Sequence, residues 1–250
     1  MQDKLKILHE SVIETIWPTR CSVCGELGHL LCEKCIKKIK FINTWLACSI
    51  CGEPYSKLQC CGCSPVYANL SENEKENYRM EFDKCISVAI LDKNTGSIVT
   101  AYKDSGERRL SELMAYFMYK YTPQTYIKNN YNVTFIPASK KAYLNRGFDH
   151  CSLLAKQYAQ LCGLKVQNLF QRPNVGDQRQ LGRHEREQNL YNQLVINTNA
   201  YSILKNNKDM QNFILVDDVK TTGATLNAAA KTLHEYGVKN VVCITFALTY

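Results

Sequence analysis

Apolar positions along the chain fall into two regimes. From residue 83 onward, short apolar runs alternate with stretches whose apolar residues recur at helical spacing. The runs predict strands near Cys85 to Leu91, at Val133 to Ile136, at Phe213 to Val216 and at Val241 to Leu248. The spaced stretches predict helices near Arg108 to Tyr121, near Gly147 to Cys162 and at Thr222 to Tyr236. The last carries Leu226, Ala229, Ala230 and Leu233 on one stripe and has Gly237 as its stop. Strands apolar on both faces fit a parallel sheet covered by helices, and the last strand-helix-strand set reads as a βαβ unit. Before residue 83 the pattern changes. Leu5, Leu8, Val12, Ile13 and Ile16 suggest a short amphipathic helix, and Ser71 to Arg79 is polar with no apolar period. The division expected is an N-terminal helix and metal-binding domain at 1–70, a linker at 71–82 and an α/β domain at 83–250.

The junction of the Phe213 to Val216 strand with the following helix carries the most specific chemistry. It reads Val216-Asp217-Asp218-Val219-Lys220-Thr221-Thr222-Gly223-Ala224-Thr225. Small hydroxyl residues and a glycine leave backbone N–H groups accessible where a helix begins. Unpaired donors and the positive end of the helix dipole both favour a phosphate there. Thr221, Thr222, Gly223, Ala224 and Thr225 form this cradle. Asp217 and Asp218 cannot contact phosphate, but they accept hydrogen bonds from the vicinal hydroxyls of a ribose, as a strand-end acid does in dinucleotide sites. The plainer alternative is helix capping by Asp218 or Thr221, which leaves the second acid and the glycine without a role. The chain has no Gly-x-x-x-x-Gly-Lys and no Gly-x-Gly-x-x-Gly after a strand.

Nine of the 13 cysteines lie between Cys21 and Cys63. They form the Cys-x-x-Cys pairs Cys21 and Cys24, Cys32 and Cys35, Cys48 and Cys51, and Cys60 and Cys63, with Cys61 extra. A two-residue spacer lets one tight turn present two thiolates to a tetrahedral zinc ion, and eight ligands suit two ions. A disulfide framework is the alternative, but it belongs to exported chains and nothing in the sequence directs export. A head this small buries too little apolar surface to fold alone, so the zinc is expected to be structural. The spacing leaves open which pairs share an ion, whether one ion or two is bound, whether Cys60 or Cys61 is the ligand, and whether His29 replaces one sulfur.

Met1 to Trp17 lacks the continuous apolar run of a signal peptide, and no 18 consecutive apolar residues follow, so a soluble cytoplasmic protein without a membrane span is expected. The formal net charge of +8 favours polyanions if it is clustered, and only solubilises the surface if it is not.

Four apolar residues, two acids and Thr-Thr-Gly-x-Thr resemble the phosphoribosyl pyrophosphate signature of type I phosphoribosyltransferases. With Ile136-Pro137, Arg146-Gly147-Phe148-Asp149-His150, then Gln178, Leu181, Arg183, Arg186 and Asn189, and the cysteine head, nearly the whole chain resembles the ComF (ComFC) competence family. The resemblance implies a type I phosphoribosyltransferase-like sheet flanked by helices, with a zinc-ribbon-type head. It implies 5-phosphoribosyl-1-pyrophosphate or a related ribose 5-phosphate at the loop, with magnesium near the pyrophosphate. It also implies a cytoplasmic role in natural transformation, with incoming single-stranded DNA and other DNA-uptake proteins as partners. Family members often carry an uncharged residue where Lys220 stands, so Lys220 either adds a phosphate contact or points to solvent. Tyr102-Lys103-Asp104-Ser105-Gly106 is similar to the family's pyrophosphate-side segment.

Lys103, Lys140, Lys141, Arg146, Arg179, Arg183 and Arg186 are the cations available to a pyrophosphate, with Gln171 to Glu187 as a cover. They serve equally for a DNA-backbone groove, with Tyr116, Tyr119, Tyr121, Tyr126 and Tyr131 as stacking platforms or as residues packed on the sheet. His150 and His184 lie in basic segments without an identified carboxylate partner and are read first as surface residues, next as phosphate or DNA contacts, and last as proton-transfer groups. No acceptor pocket is recognisable in the sequence. An active phosphoribosyltransferase with an unidentified acceptor therefore stands as the alternative to a DNA-handling protein that binds the phosphoribosyl ligand.

Overall fold

The computed structural model describes residues 15, 18–56, 58–60, 63, 80–129, 131–172, 194–206 and 210–250. Leu5, Leu8, Val12, Ile13 and Ile16, the Ser71 to Arg79 connection, Cys61, Arg179, Arg183, His184 and Arg186 lie outside the described residues. Described helices are α1 (Glu33–Ile36), α2 (Lys93–Lys103), α3 (Leu110–Tyr121), α4 (Gln124–Lys128), α5 (Lys140–Arg146), α6 (His150–Cys162), α7 (Thr198–Asn206) and α8 (Ala224–Glu235). The strands are β1 (Lys84–Ile90), β2 (Asn132–Phe135), β3 (Phe170–Gln171), β4 (Val195–Ile196), β5 (Asn212–Lys220) and β6 (Asn240–Leu248).

The strands β1, β6, β5 and β2 form one sheet in that order, every neighbouring pair parallel. Their β-branched and aromatic residues are buried on both faces, as in a sheet covered on two sides. On one face Ile86, Val88, Ile214, Val216, Val242 and Ile244 pack with α2, α3 and α6. On the other, Cys85, Phe213, Leu215, Val241 and Cys243 pack with α7 and the Leu226, Ala229, Ala230 and Leu233 stripe of α8. Between these lies β5, which continues four residues past the expected apolar run and takes Asp217 and Asp218 into the strand. Its ladder to β6 extends to the Lys220 and Leu248 pair. The helix α2 was not expected from apolar spacing. Its start is fixed by Asp92, whose carboxylate accepts from the amides of Asn94 and Thr95.

The cysteine head wraps the β1 edge. Cys21, Leu31, Cys32, Cys35 and Ile39 join the core on the α3 and α6 face. The chain then crosses the edge, where Ile42 N donates to Val88 O and Ile90 N to Lys40 O, both at 2.9 Å, pairing residues 40–42 antiparallel with β1. Cys48 and Cys51 reach the core on the opposite face, beside α8. There Cys85 N donates to Ile50 O at 2.6 Å. Gly52, at φ +75°, leaves no room for a side chain, since a Cβ would lie 2.6 Å from Cys85 O. A cysteine knuckle thus covers the part of the sheet that α7 and α8 leave open. No helix among the described residues is long and apolar enough to cross a membrane.

Candidate phosphoribosyl site and the two cysteine clusters

The C-terminal ends of parallel strands gather the chemistry, as expected for open α/β sheets. After Lys220 the chain turns through Thr221, Thr222 and Gly223 and enters α8, with Gly223 at φ +82° as the N-cap. Thr221, Thr222 and Ala224 are exposed and Thr225 is half-buried, so the cradle opens to solvent. Among the described residues, the amides of Thr221, Thr222 and Gly223 make no hydrogen bond, while Ala224 N donates to Thr222 Oγ1 at 3.3 Å. Three free donors thus lie at the positive end of the helix dipole.

Of the two acids beside this cradle, Asp217 is half-buried and Asp218 enclosed. Asp218 is 2% exposed. Its Oδ2 lies 2.5 Å from Lys103 Nζ, an ion-pair contact without hydrogen-bond alignment, and its Oδ1 lies 4.0 Å from His150 Nε2. Asp217 Oδ1 accepts from Cys151 Sγ at 3.1 Å and from the amide of Asp218 at 2.9 Å. Burial of its carboxyl, then the charge of Asp218, pushes Asp217 up to about 7. Burial pulls Lys103 down, but Asp218 more than offsets this and leaves it above the ordinary lysine value. Tyr102 and Lys103, at the end of α2, come to the site because Tyr102 OH donates to His150 O at 2.6 Å. Asp149 caps α6 through the Ser152 amide and accepts from Ala138 N, both at 3.0 Å, which ties the end of β2 to the start of α6.

His150 is not a surface residue. It is 7% exposed, with Asp218 as its carboxylate neighbour, and burial holds it below the ordinary histidine value. Arg146 NH1 donates to His150 Nδ1 at 3.3 Å, which leaves the ring proton on Nε2, facing Asp218. His150, Cys151 and Asp218 bring metal-ligating atoms within 4.8 Å of one another. However, Lys103 and Arg146 already set two cations against that cluster, so it reads as part of the acid site.

The remaining cations divide. Arg146 also donates to Asp104 at 3.1 Å, while Lys140 and Lys141 are exposed in the first turn of α5, away from any described ion pair. Of the five tyrosines, Tyr119, Tyr121, Tyr126 and Tyr131 pack against the core and Tyr116 is exposed. Lys220 does not point to solvent. It is 4% exposed, a burial that its place next to a polar loop gave no reason to expect.

In the head the sulfurs sort into two sets, each within 4.8 Å: Cys21, Cys24, Cys32 and Cys35, then Cys48, Cys51, Cys60 and Cys63. Neither set includes His29, and Cys60 belongs to the second. Cys24 and Cys32 lie 3.7 Å apart and Cys51 and Cys60 3.4 Å apart. A tetrahedral zinc with bonds of about 2.3 Å sets a sulfur to sulfur edge of about 3.8 Å. The donor sets therefore fit zinc, and closed sets of four thiolates make it structural.

Comparison with known proteins agrees with both halves. Residues 12–64 match the model of the double zinc ribbon domain, and residues 175–249 that of the phosphoribosyl transferase domain. Competence protein F of Haemophilus influenzae is 26% identical over 234 residues, covering 89% of this chain and 93% of that protein. Competence protein ComFC of Bacillus subtilis is 23% identical over 214 residues, covering 83% of this chain and 79% of that protein. A parallel sheet ending in this loop, clamped by two four-cysteine sites, defines a phosphoribosyltransferase-like protein with an N-terminal double zinc ribbon. Within that class the chain is similar to competence proteins F and ComFC.

Proposed function

We propose that the chain handles incoming single-stranded DNA in the cytoplasm during natural transformation, and binds 5-phosphoribosyl-1-pyrophosphate or a related ribose 5-phosphate ligand at the β5 to α8 loop. The observation that carries the ligand is the adjacency of free amides at Thr221, Thr222 and Gly223 to two carboxylates at the end of β5, Asp218 buried and Asp217 half-buried. The amides and the Thr221, Thr222 and Thr225 hydroxyls take the 5′-phosphate, while Asp217 and Asp218 accept from the ribose hydroxyls. The carboxylates suit magnesium chemically, but Lys103 stands on Asp218, so magnesium is assigned mainly to the pyrophosphate oxygens of the ligand, whose charge it offsets. The role in transformation rests on the two competence-protein relatives.

Calorimetry with 5-phosphoribosyl-1-pyrophosphate and magnesium tests the ligand. Binding is expected for the wild type and a loss of about tenfold or more for Asp218→Asn. Binding indifferent to that change would sink the assignment. For DNA, Arg183→Glu and Arg186→Glu should weaken an oligonucleotide and flatten its salt dependence. Unchanged anisotropy titrations would argue against a groove there.

Asp217 favours a second reading, an active phosphoribosyltransferase. A carboxyl pushed up to about 7 beside the ribose is suited to take a proton from an acceptor near neutral pH. Release of pyrophosphate only in the presence of one acceptor class would establish it. No release with bases, amines or ammonia would leave the loop as a ligand-binding site.

A further inference from the structure

Lys220 lies between the second ribbon and the phosphate loop. Its stem runs under Gly223, where a Cβ would sit 3.1 Å from Lys220 Cε. Its backbone is held by Thr249 N donating to Lys220 O at 2.9 Å. Tyr250, the residue after Thr249, sets its ring 5.9 Å from that of Tyr55 in the ribbon, so the ribbon adjoins the end of β5, and the Lys220 charge favours the ionised forms of Cys51 and Glu53 there. A buried ammonium needs compensation. Zinc held by four thiolates is a net dianion, and the ribbon that carries it is fixed to β1 by the Cys85 to Ile50 bond and the close approach of Gly52.

We infer that Lys220 is a positioning residue that couples the second zinc ribbon to the 5′-phosphate loop, its head held by the anionic Cys48, Cys51, Cys60 and Cys63 site and its stem supporting Gly223. This deepens the proposed phosphoribosyl reading and rests on it for the ligand, though not for the metal. Loss of the second ion removes the anchor of the Lys220 head, so the stem no longer fixes the turn on which Thr221 and Thr222 present their amides. By linkage, a ligand that holds the loop also holds the second ion.

The test measures zinc release from the full-length protein into a colorimetric chelator. Cys24→Ser, which removes the first ion, assigns the two phases. Lys220→Met, which keeps the stem and drops the charge, should speed release of the second ion about tenfold, with the first ion unchanged and Lys220→Arg near wild type. Equal rates for wild type and Lys220→Met overturn the coupling. Ribose 5-phosphate, once calorimetry shows that it binds, should slow the second ion about fivefold in wild type and not in Lys220→Met. Protection of both ions alike, or of neither, by bound ribose 5-phosphate overturns it even if Lys220→Met fails to fold. Absence of binding heat in the wild type instead removes the phosphoribosyl reading, and the Lys220→Met release rate then decides the coupling alone.

Discussion

The two ribbons have the same ligands and opposite surroundings. The first leaves Cys24 exposed and meets the sheet through side chains, with Arg109 NH1 donating to Thr19 Oγ1 at 2.8 Å as a polar tie to α3. The second meets the sheet through backbone, at Ile50 and Gly52 against Cys85, and the Lys220 charge favours its Cys51 thiolate. Each holds one sulfur in readiness for metal. Burial opposes ionisation of Cys21, but backbone amides of Cys32, Cys24 and Val23 hold it at about 6. A hydrogen bond from Cys63 is the main cause that holds Cys51 at about 5. What separates the ribbons is therefore their neighbours, and a zinc site gains a further role only when something functional leans on it.

The largest contrast should come from breaking one ribbon at a time. Cys51→Ser and Cys24→Ser should each cost one zinc by metal analysis and several kcal/mol of stability. Only Cys51→Ser should also weaken ribose 5-phosphate, by about tenfold. Equal ligand loss in both would dissolve the distinction. Next come the ribbon glycines. Gly25 at φ +77° has nothing within 4 Å of a Cβ, so Gly25→Ala should cost only the strain of its backbone, about 1 kcal/mol. Gly52→Ala adds a backbone collision and should cost about 3 kcal/mol or more by denaturant titration.

The loop that the second ribbon supports should show a pH signature. Asp217 binds its proton at about 7 when folded, against an ordinary 3.8, so the folded state holds more protons between those values. The stability that this contributes is complete below the ordinary value and lost as pH rises through about 7. His150, held below its ordinary value by burial, pulls the other way below about 6.5, but equally in wild type and Asp217→Asn. The difference between the two proteins isolates Asp217. By melting temperature, Asp217→Asn should gain several degrees on wild type from pH 5 to pH 8, roughly what 2 or 3 kcal/mol produces. A constant difference would place the titration elsewhere. The smallest effect belongs to Arg109→Ala. It should cost about 1 kcal/mol and leave both zinc ions bound, because its ion pair with Glu107 is exposed and its bond to Thr19 is only part-buried.

Much of this arrangement was legible in the sequence because it is local. Apolar runs marked β1, β5 and β6, the Leu226 to Leu233 stripe marked α8, and cysteine spacing marked the ligands, while their division into two sets came only from the folded head. The helix α2 escaped because Gly96 and β-branched Val99 blur its period, although Asp92 followed by Asn94 and Thr95 was a readable cap. The burial of His150 and Cys151 depends on α6 docking against β5, and no spacing records that. Lys220 was the hardest residue to read. Its hydrophilic character points outward, and only a knuckle arriving from residues 48–63 makes its position an interior one.

Residues 40–42 carry a consequence for self-association. Their pairing with Val88 and Ile90 occupies backbone groups that an outer strand otherwise offers to any passing chain. The same segment is the bridge between the ribbons, so damage that pries the head loose uncovers β1 along its length as well as on its apolar faces. A chain cut to begin at residue 83 should therefore fail first by aggregation, with strand adding to strand across the exposed margin.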